Sequence, residues 1–223
     1  MLCIIQARMG SKRLPNKMLI RIDNQPILQH VINRVNKIKY VKKICVATTK
    51  LKIDDELAKY CKENNTEVFR GSNINVFDRF QKLCIDNKFS KVLRINGDSP
   101  LMDNNLFNKI IKISNNYIYD LFTNIHPRSF PRGQSLEIIN SEIIKKFNQN
   151  LMTRSEKEHV TRYFYKNNKK YKIINYKAKT DCSSINLSID THEDLKKIKK
   201  LFKHFKKDIY NISYNEMSKF ISR

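Results

Sequence analysis

Leu2-Cys3-Ile4-Ile5-Gln6-Ala7-Arg8-Met9-Gly10-Ser11-Lys12-Arg13-Leu14-Pro15-Asn16-Lys17 opens the chain and decides how the rest of it is read. Residues 2–7 are a short apolar run without helical spacing, followed at once by a Gly-Ser turn and three cations. That is the pattern of a buried strand emptying into a basic loop. Loop amides together with Arg8, Arg13 and Lys17 suit phosphate oxygens, arginine as a flat two-pronged donor and lysine as a mobile point charge. Spacing alone leaves a second possibility open, that Lys12, Arg13 and Lys17 are solvated loop charges of a lysine-rich chain.

Outward from this stretch the same unit repeats. Gln25-Pro26 begins an apolar series (Ile27, Leu28, Val31, Ile32, Val35, Ile38) at helical spacing. Strands are expected at 44–49, 67–72 and 91–96, with helices at 54–65, 76–87 and 105–114. Four strand-then-helix units predict an α/β fold with a doubly wound, mostly parallel sheet, whose ligand sits at the carboxyl ends of the strands. Beyond residue 117 the pattern loosens: strands at 119–123, 136–139 and 172–176, helices from 141 and from 155 to 165. A final strand at 185–190 runs into a helix that starts with a Thr191-x-x-Asp194 capping box. A short helix at 215–221 closes the chain.

At 223 residues the chain can bury one substantial core, and no composition shift divides it, so 1–223 is expected to be a single domain. Hydrophobic residues make up 40% and charged residues 29%, the balance of a globular protein. No apolar run approaches the roughly 18 residues of a membrane span and no signal peptide is apparent, which makes the cytoplasm the default location. Five cysteines without a C-x-x-C pair argue against a disulfide framework, a zinc site and a catalytic thiol. The 44 Lys+Arg against 21 Asp+Glu give +23, a charge that suits nucleic acid, an anionic surface or a nucleoside triphosphate. The lysines are scattered over nearly every helix and the strands lack stacking aromatics, so nucleic-acid binding is not expected.

Only four glycines are present, at 10, 71, 97 and 133, each in a turn beside a predicted strand. Such scarcity favours positions where a backbone must approach a ligand closely over ordinary turn positions. Asp98, just past a strand end and a Gly turn, suits an inner-sphere Mg²⁺ ligand, because Mg²⁺ takes one or two protein carboxylates plus phosphates. Asp190 ends the last expected strand in the same way, although an aspartate there also suits a helix N-cap.

Several of these segments together resemble the cytidylyltransferases that activate acidic sugars, the acylneuraminate and 3-deoxy-manno-octulosonate enzymes and above all their spore-coat polysaccharide branch. The family's opening motif is matched by Ala7-Arg8-Met9-Gly10-Ser11-Lys12-Arg13-Leu14-Pro15-Asn16-Lys17, with Asn16 in place of a glycine; asparagine tolerates the left-handed backbone. Asn96-Gly97-Asp98-Ser99-Pro100-Leu101 resembles Gly-Asp-x-Pro-Leu, and Ile189-Asp190-Thr191-His192-Glu193-Asp194-Leu195 resembles the closing Val-Asp-Thr-x-Glu-Asp-Leu. The resemblance implies a Rossmann-like sheet of the nucleotide-diphospho-sugar transferase type with a small inserted arm, about 117–180, for acceptor binding and dimerisation. It implies that Gln6, Ala7, Arg8, Gly10, Ser11, Arg13, Lys17, Ala47, Thr48, Arg70, Gly71, Ser72, Arg79, Asn96 and Gly97 line the nucleotide site. Arg8, Lys17 and Asp98 would be catalytic, with Asp98 and Asp190 holding Mg²⁺. Pro131-Arg132-Gly133 with Glu137, and Glu158-His159-Val160-Thr161, resemble acceptor motifs, so Arg128, Arg132, Glu137 and His159 are expected at the acceptor. Gln134-Ser135 and Arg162 depart from the family pattern there.

The expected activity is Mg²⁺-dependent transfer of CMP from CTP to an anionic sugar or small acid, with release of pyrophosphate, by a homodimer serving surface glycan synthesis. A metal-dependent glycosyltransferase is the first alternative, weakened because Pro100 stands where Asp-x-Asp would need a second aspartate. A non-catalytic RNA-binding or scaffold protein on the same fold is the second. No G-x-x-x-x-G-K-[ST] or G-x-G-x-x-G supports a P-loop or dinucleotide reading.

Overall fold

The opening run is strand β1 (Leu2–Gln6) in the computed structural model, which describes residues 1–222. Leu2, Cys3, Ile4 and Ile5 are wholly buried, as an apolar run covered on both faces of a parallel sheet must be. A loop leads to a tight hairpin, β2 (Arg21–Ile22) and β3 (Gln25–Pro26), with Asp23 and Asn24 at φ 46° and 64°. Two adjacent left-handed residues are the mark of a primed hairpin turn, a signal present in the sequence but not expected there.

The next elements are α1 (Ile27–Asn36), β4 (Lys43–Thr49), α2 (Asp55–Glu63), β5 (Glu67–Gly71), α3 (Val76–Asp86), β6 (Lys91–Asn96) and α4 (Asn104–Ser114). Strands β5, β4, β1 and β6 lie side by side and parallel, so the loops that follow them share one edge. The rest of the chain adds β7 (Leu121–Thr123), β8 (Glu137–Asn140), α5 (Ser141–Lys145), α6 (Arg154–Glu158), α7 (Arg162–Lys166), β9 (Ile173–Asn175), α8 (His192–Phe205) and α9 (Tyr214–Ile221). The seven-stranded order is β5-β4-β1-β6-β8-β7-β9. Because β8 runs against β6 and β7 while β9 follows β7, β8 alone opposes the common direction. The mostly parallel Rossmann-like sheet is therefore present, and the looser second half extends it.

Two expected elements differ. The helix expected over 155–165 is two helices, because His159 takes φ −110°, ψ 72° and Arg162 begins a new turn. Residues 185–190 are not a sheet strand. Their backbone hangs on loops instead: Arg132 N donates to Ile185 O at 2.9 Å, Leu187 N to Arg132 O at 2.9 Å, and Ile189 N to Asp98 O at 2.9 Å. The alternating Leu187 and Ile189 still point inward, into a small core with Leu14, Leu101 and the buried face of α8. Gly133 permits this threading. Its φ is +89°, and a Cβ there would stand 2.7 Å from the Leu187 carbonyl carbon and oxygen. The capping box is as expected, with Thr191 and Asp194 exchanging side-chain and backbone bonds at the start of α8.

Candidate active site

The loop after β1 is held from within and from below. Ser11 N donates to Met9 O at 2.8 Å and Leu14 N to Ser11 Oγ at 3.3 Å, folding the chain back on itself. Asn16 adopts φ 56°, ψ 21°, the left-handed conformation its place in the motif requires. Met9 N donates to the buried carboxylate of Asp54 at 2.6 Å, and Thr49 donates its hydroxyl to the other oxygen. Asp54 went unread in the sequence because it stands at a helix start, where an aspartate is ordinary. Among the described residues the amides of Gly10, Lys12 and Arg13 have no partner in the chain, which leaves three donors for an anion.

Asp98 and Asp190 converge, 92 residues apart in sequence. Lys17 Nζ lies between them, 3.2 Å from Asp98 Oδ2 and 3.0 Å from Asp190 Oδ1, and also donates to Ile189 O at 2.7 Å. Its side chain is 7% exposed, whereas those of Asp98 and Asp190 are 26% and 38% exposed. All three ammonium hydrogens are thus engaged, and the carboxylates keep open faces toward solvent. Arg13 reaches Asp190 Oδ1 at 3.3 Å from outside. Thr191 takes the N-cap role, so Asp190 is free for this cluster.

A cavity of about 760 Å³ opens over these groups. Gln6, Ala7, Arg8, Gly10, Ser11, Arg13, Lys17, Arg79, Asn96, Asp98, His159 and Asp190, all singled out in the sequence, line it. Lys12, Met18, Leu51, Ile53, Asn73 and Glu158 complete the wall. Arg8 spans the mouth, with weak exposed contacts to Asn73 at 3.5 Å and Glu158 at 3.5 Å. Arg79 is almost fully buried, donates to Ala47 O at 3.0 Å, and leaves its Nε without a partner. Burial, then the nearby Arg8 charge, lowers its pKa to about 10, so it remains a cation at neutral pH.

Other expected contacts lie elsewhere. Ala47 and Thr48 are wholly buried and do not line the cavity. Arg70 braces the next loop, donating to Thr49 O at 2.9 Å and Leu51 O at 3.0 Å and pairing with Asp55 at 2.6 Å. Ser72 Oγ accepts from Asn75 N at 3.1 Å. At Gly71 a Cβ would stand 2.6 Å from Arg79 Cγ, and at Gly97 3.0 Å from the Ala7 Cβ. The close approaches at three of the four glycines are therefore to the chain itself, and only Gly10 faces open space.

Glu137 is not open to a ligand. It is 1% exposed, paired with Arg94 and hydrogen-bonded by Tyr165 at 2.6 Å. Burial raises its pKa, but the Arg94 charge and the bonds from Tyr165 and Thr161 outweigh burial, so the carboxyl lies below the usual range. A group depressed in this way stabilises the fold fully above its unfolded pKa and ceases to do so as pH falls through its lower folded value. The midpoint gap between wild type and Glu137→Gln is accordingly expected to narrow below about pH 4 in thermal melts. A gap that stays constant across the acid range would contradict this. Arg128 is half-buried and donates to Ser135 Oγ at 2.9 Å and Pro131 O at 3.3 Å, while Arg132 is exposed; neither lines the cavity.

The Asp98 loop is clamped by two buried side chains, Arg34, which drew no notice in the sequence, and Gln134, which stood out there only as a departure from the family pattern. Arg34, at 0% exposure, donates to Pro100 O at 2.6 Å, Met102 O at 2.7 Å and Ile209 O at 2.7 Å. Gln134, also at 0%, donates to Leu101 O at 2.7 Å and accepts from Asp103 N at 2.8 Å. Its departure from the family pattern is thus a packing difference beneath the loop.

A Rossmann-like sheet with a cation-lined cleft and paired carboxylates at its carboxyl edge defines a nucleotide-binding α/β protein. The sequence pattern of the family described as Cytidylyltransferase matches residues 2–219, and the chain belongs to that family of nucleotidyltransferases. It is similar to an uncharacterised protein of Methanocaldococcus jannaschii, 33% identical over 99% of this chain and 89% of that one. It is also similar to the spore coat polysaccharide biosynthesis protein SpsF of Bacillus subtilis, 31% identical over 90% of this chain and 85% of that one. The solved structure of a cytidylyltransferase from Leptospira borgpetersenii matches with a TM-score of 0.91 at 29% identity, covering 99% of this chain and 92% of that one.

Proposed function

We propose that this chain transfers CMP from CTP to an anionic sugar or small acid and releases pyrophosphate, in the synthesis of a surface polysaccharide. The observation that carries the reading is the Lys17-bridged pair of Asp98 and Asp190 at the base of a cavity walled by Arg8, Arg13 and three unengaged amides. Among the described residues no three His, Cys, Asp or Glu side chains converge. Two carboxylates suit Mg²⁺, which completes its shell with phosphate and water, and Asp98 and Asp190 would hold it while it neutralises phosphate charge.

The free amides with Arg8 and Arg13 bind the triphosphate and turn its α-phosphorus toward the acceptor. The acceptor oxygen forms a bond to that phosphorus, the bond to the bridging oxygen breaks in line, and pyrophosphate leaves with the electron pair. His159, exposed on the cavity rim, accepts the acceptor proton. Arg128 and Arg132 would meet the acceptor's negative charge only from outside this cavity. Glu137 is not proposed as a direct contact. The relative's name supports the polysaccharide assignment, and the family resemblance supports a single-domain homodimer.

Thermal midpoints of wild type and Asp98→Asn with CTP, UTP, GTP and ATP, with and without Mg²⁺, test this. A ligand at about 100 times its Kd adds roughly 2.7 kcal/mol, a rise of about 5–10 °C for a chain of this size. CTP with Mg²⁺ is expected to give that rise in wild type and not in the variant. If no triphosphate moves the midpoint, the reading is wrong.

A further inference from the structure

Gln6 and Asn96 end neighbouring parallel strands and are register partners, so both side chains leave the same face of the sheet and line the cavity. Behind them on that face, Arg94 donates through Nη2 to Gln6 Oε1 at 3.1 Å. Its Nη1 pairs with Glu137, the residue opposite it on β8. Glu137 is held in turn by Tyr165 of α7, whose hydroxyl also lies 3.0 Å from Thr123 Oγ1 on β7. A guanidinium only donates, so the Gln6 atom facing it must be the carbonyl oxygen. The NH₂ end of Gln6, which has no partner among the described residues, is therefore the end left for a ligand.

The cavity is chemically divided. Four of the cations that line it, Arg8, Lys12, Arg13 and Lys17, belong to the loop after β1, and Arg79 donates to Ala47 O beside Gln6, whereas the strand-end residues Gln6 and Asn96 are themselves neutral amides. A triphosphate belongs at the cationic end. The donors of the Gln6 NH₂ beside the N–H and C=O of the Asn96 amide match a vicinal diol, in which each hydroxyl both donates and accepts. We propose that Gln6, oriented by the Arg94–Glu137 pair, hydrogen-bonds the ribose diol of the bound nucleotide and selects ribonucleotides over 2′-deoxyribonucleotides. This assignment rests on the CTP reading above. Gln6 touches the substrate; Arg94, Glu137 and Tyr165 act through it as positioning residues, which links the β7–β8 half of the sheet to nucleotide choice.

Calorimetric titration of the full chain with CTP and with 2′-deoxyCTP, both with Mg²⁺, tests it in wild type, Gln6→Met, Glu137→Gln, Tyr165→Phe and the Gln6→Met/Glu137→Gln double variant. Gln6→Met is expected to weaken CTP by about five- to tenfold, the size of one lost neutral hydrogen bond, and to leave 2′-deoxyCTP nearly unchanged. Glu137→Gln or Tyr165→Phe is expected to erode the same preference in the wild-type background and to erode none of what remains once Gln6 is gone. Tyr165→Phe keeps the positioning claim open to refutation if Glu137→Gln does not fold. Intact CTP binding with an unmoved preference in Gln6→Met, or equal losses from Glu137→Gln in both backgrounds, would overturn this assignment alone. Binding of neither nucleotide by wild type would overturn the CTP reading and this assignment with it.

Discussion

Arg34→Met is expected to lower the unfolding free energy by about 3–5 kcal/mol and the thermal midpoint by roughly 10–15 °C. Arg34 is wholly buried, and its guanidinium is shared among three carbonyls belonging to the Asp98 loop and the C-terminal segment. Among the described residues no carboxylate pairs with it, and its charge lies 5.2 Å from the centre of the Tyr210 ring. Burial lowers its pKa to about 10, so at neutral pH a cation is buried on carbonyl dipoles and the Tyr210 ring. Methionine can fill much of the volume but donates nothing, and each buried carbonyl left unbonded costs about 1–3 kcal/mol. Relief of the buried charge returns part of that, hence the intermediate figure. Arg34→Lys should recover little, since one ammonium cannot reach three carbonyls placed for a planar fork. A midpoint within about 3 °C of wild type for Arg34→Met would mean that Gln134 and the apolar packing hold the Asp98 loop unaided.

The parts of this molecule that sequence discloses are those whose cause is local. Asn96-Gly97-Asp98 follows its strand directly, so strand, turn and carboxylate are read as one unit. Asn16 needs a left-handed backbone and has it, at φ 56°. Thr191 and Asp194 lie one helical turn apart and cap α8. The parts that stayed hidden depend on partners far away in the chain. Ile185, Leu187 and Ile189 alternate as a strand does, but alternation reports only that one face is buried; the backbone found Arg132 and Asp98 in place of a neighbouring strand. Ser155 to Tyr165 keeps an amphipathic pattern with no Gly or Pro at the break near His159, so one helix was the natural reading. Glu137 matches a ligand-binding motif, yet its partner across β6 is Arg94, and that pairing buries it. Arg34, on the inner face of an amphipathic helix, looks like a solvated charge until the Asp98 loop is laid over it.

Lys17→Met is expected to reduce pyrophosphate release by about 10²–10³-fold, the loss that follows removal of one preorganised charge-stabilising group. Lys17 directs its three hydrogens to Asp98, Asp190 and Ile189 O, so in this arrangement it cannot also donate to a phosphate. Its effect is to hold two carboxylates at one short separation and to cancel one of their charges. Without it, Arg13, 3.3 Å from Asp190 and largely in solvent, is the one cation paired with either carboxylate among the described residues to oppose their repulsion. Both carboxylates are partly exposed, so water screens that repulsion and the fold should lose only about 1–2 kcal/mol. Activity should therefore fall far more than stability. Mg²⁺ without nucleotide should raise the midpoint of Lys17→Met by more than it raises that of wild type, because the variant leaves two carboxylates without the cation between them. Lys17→Arg should not restore activity, since a planar guanidinium does not fit a buried three-way junction shaped for a tetrahedral ammonium. The hydrogen bonds from Ile189 N to Asp98 O and from Asp190 N to Asp194 Oδ2, each 2.9 Å, survive every one of these changes. If Lys17→Met stays within tenfold of wild type, those contacts alone set the carboxylates, and Lys17 contributes charge balance to the fold but nothing to the reaction.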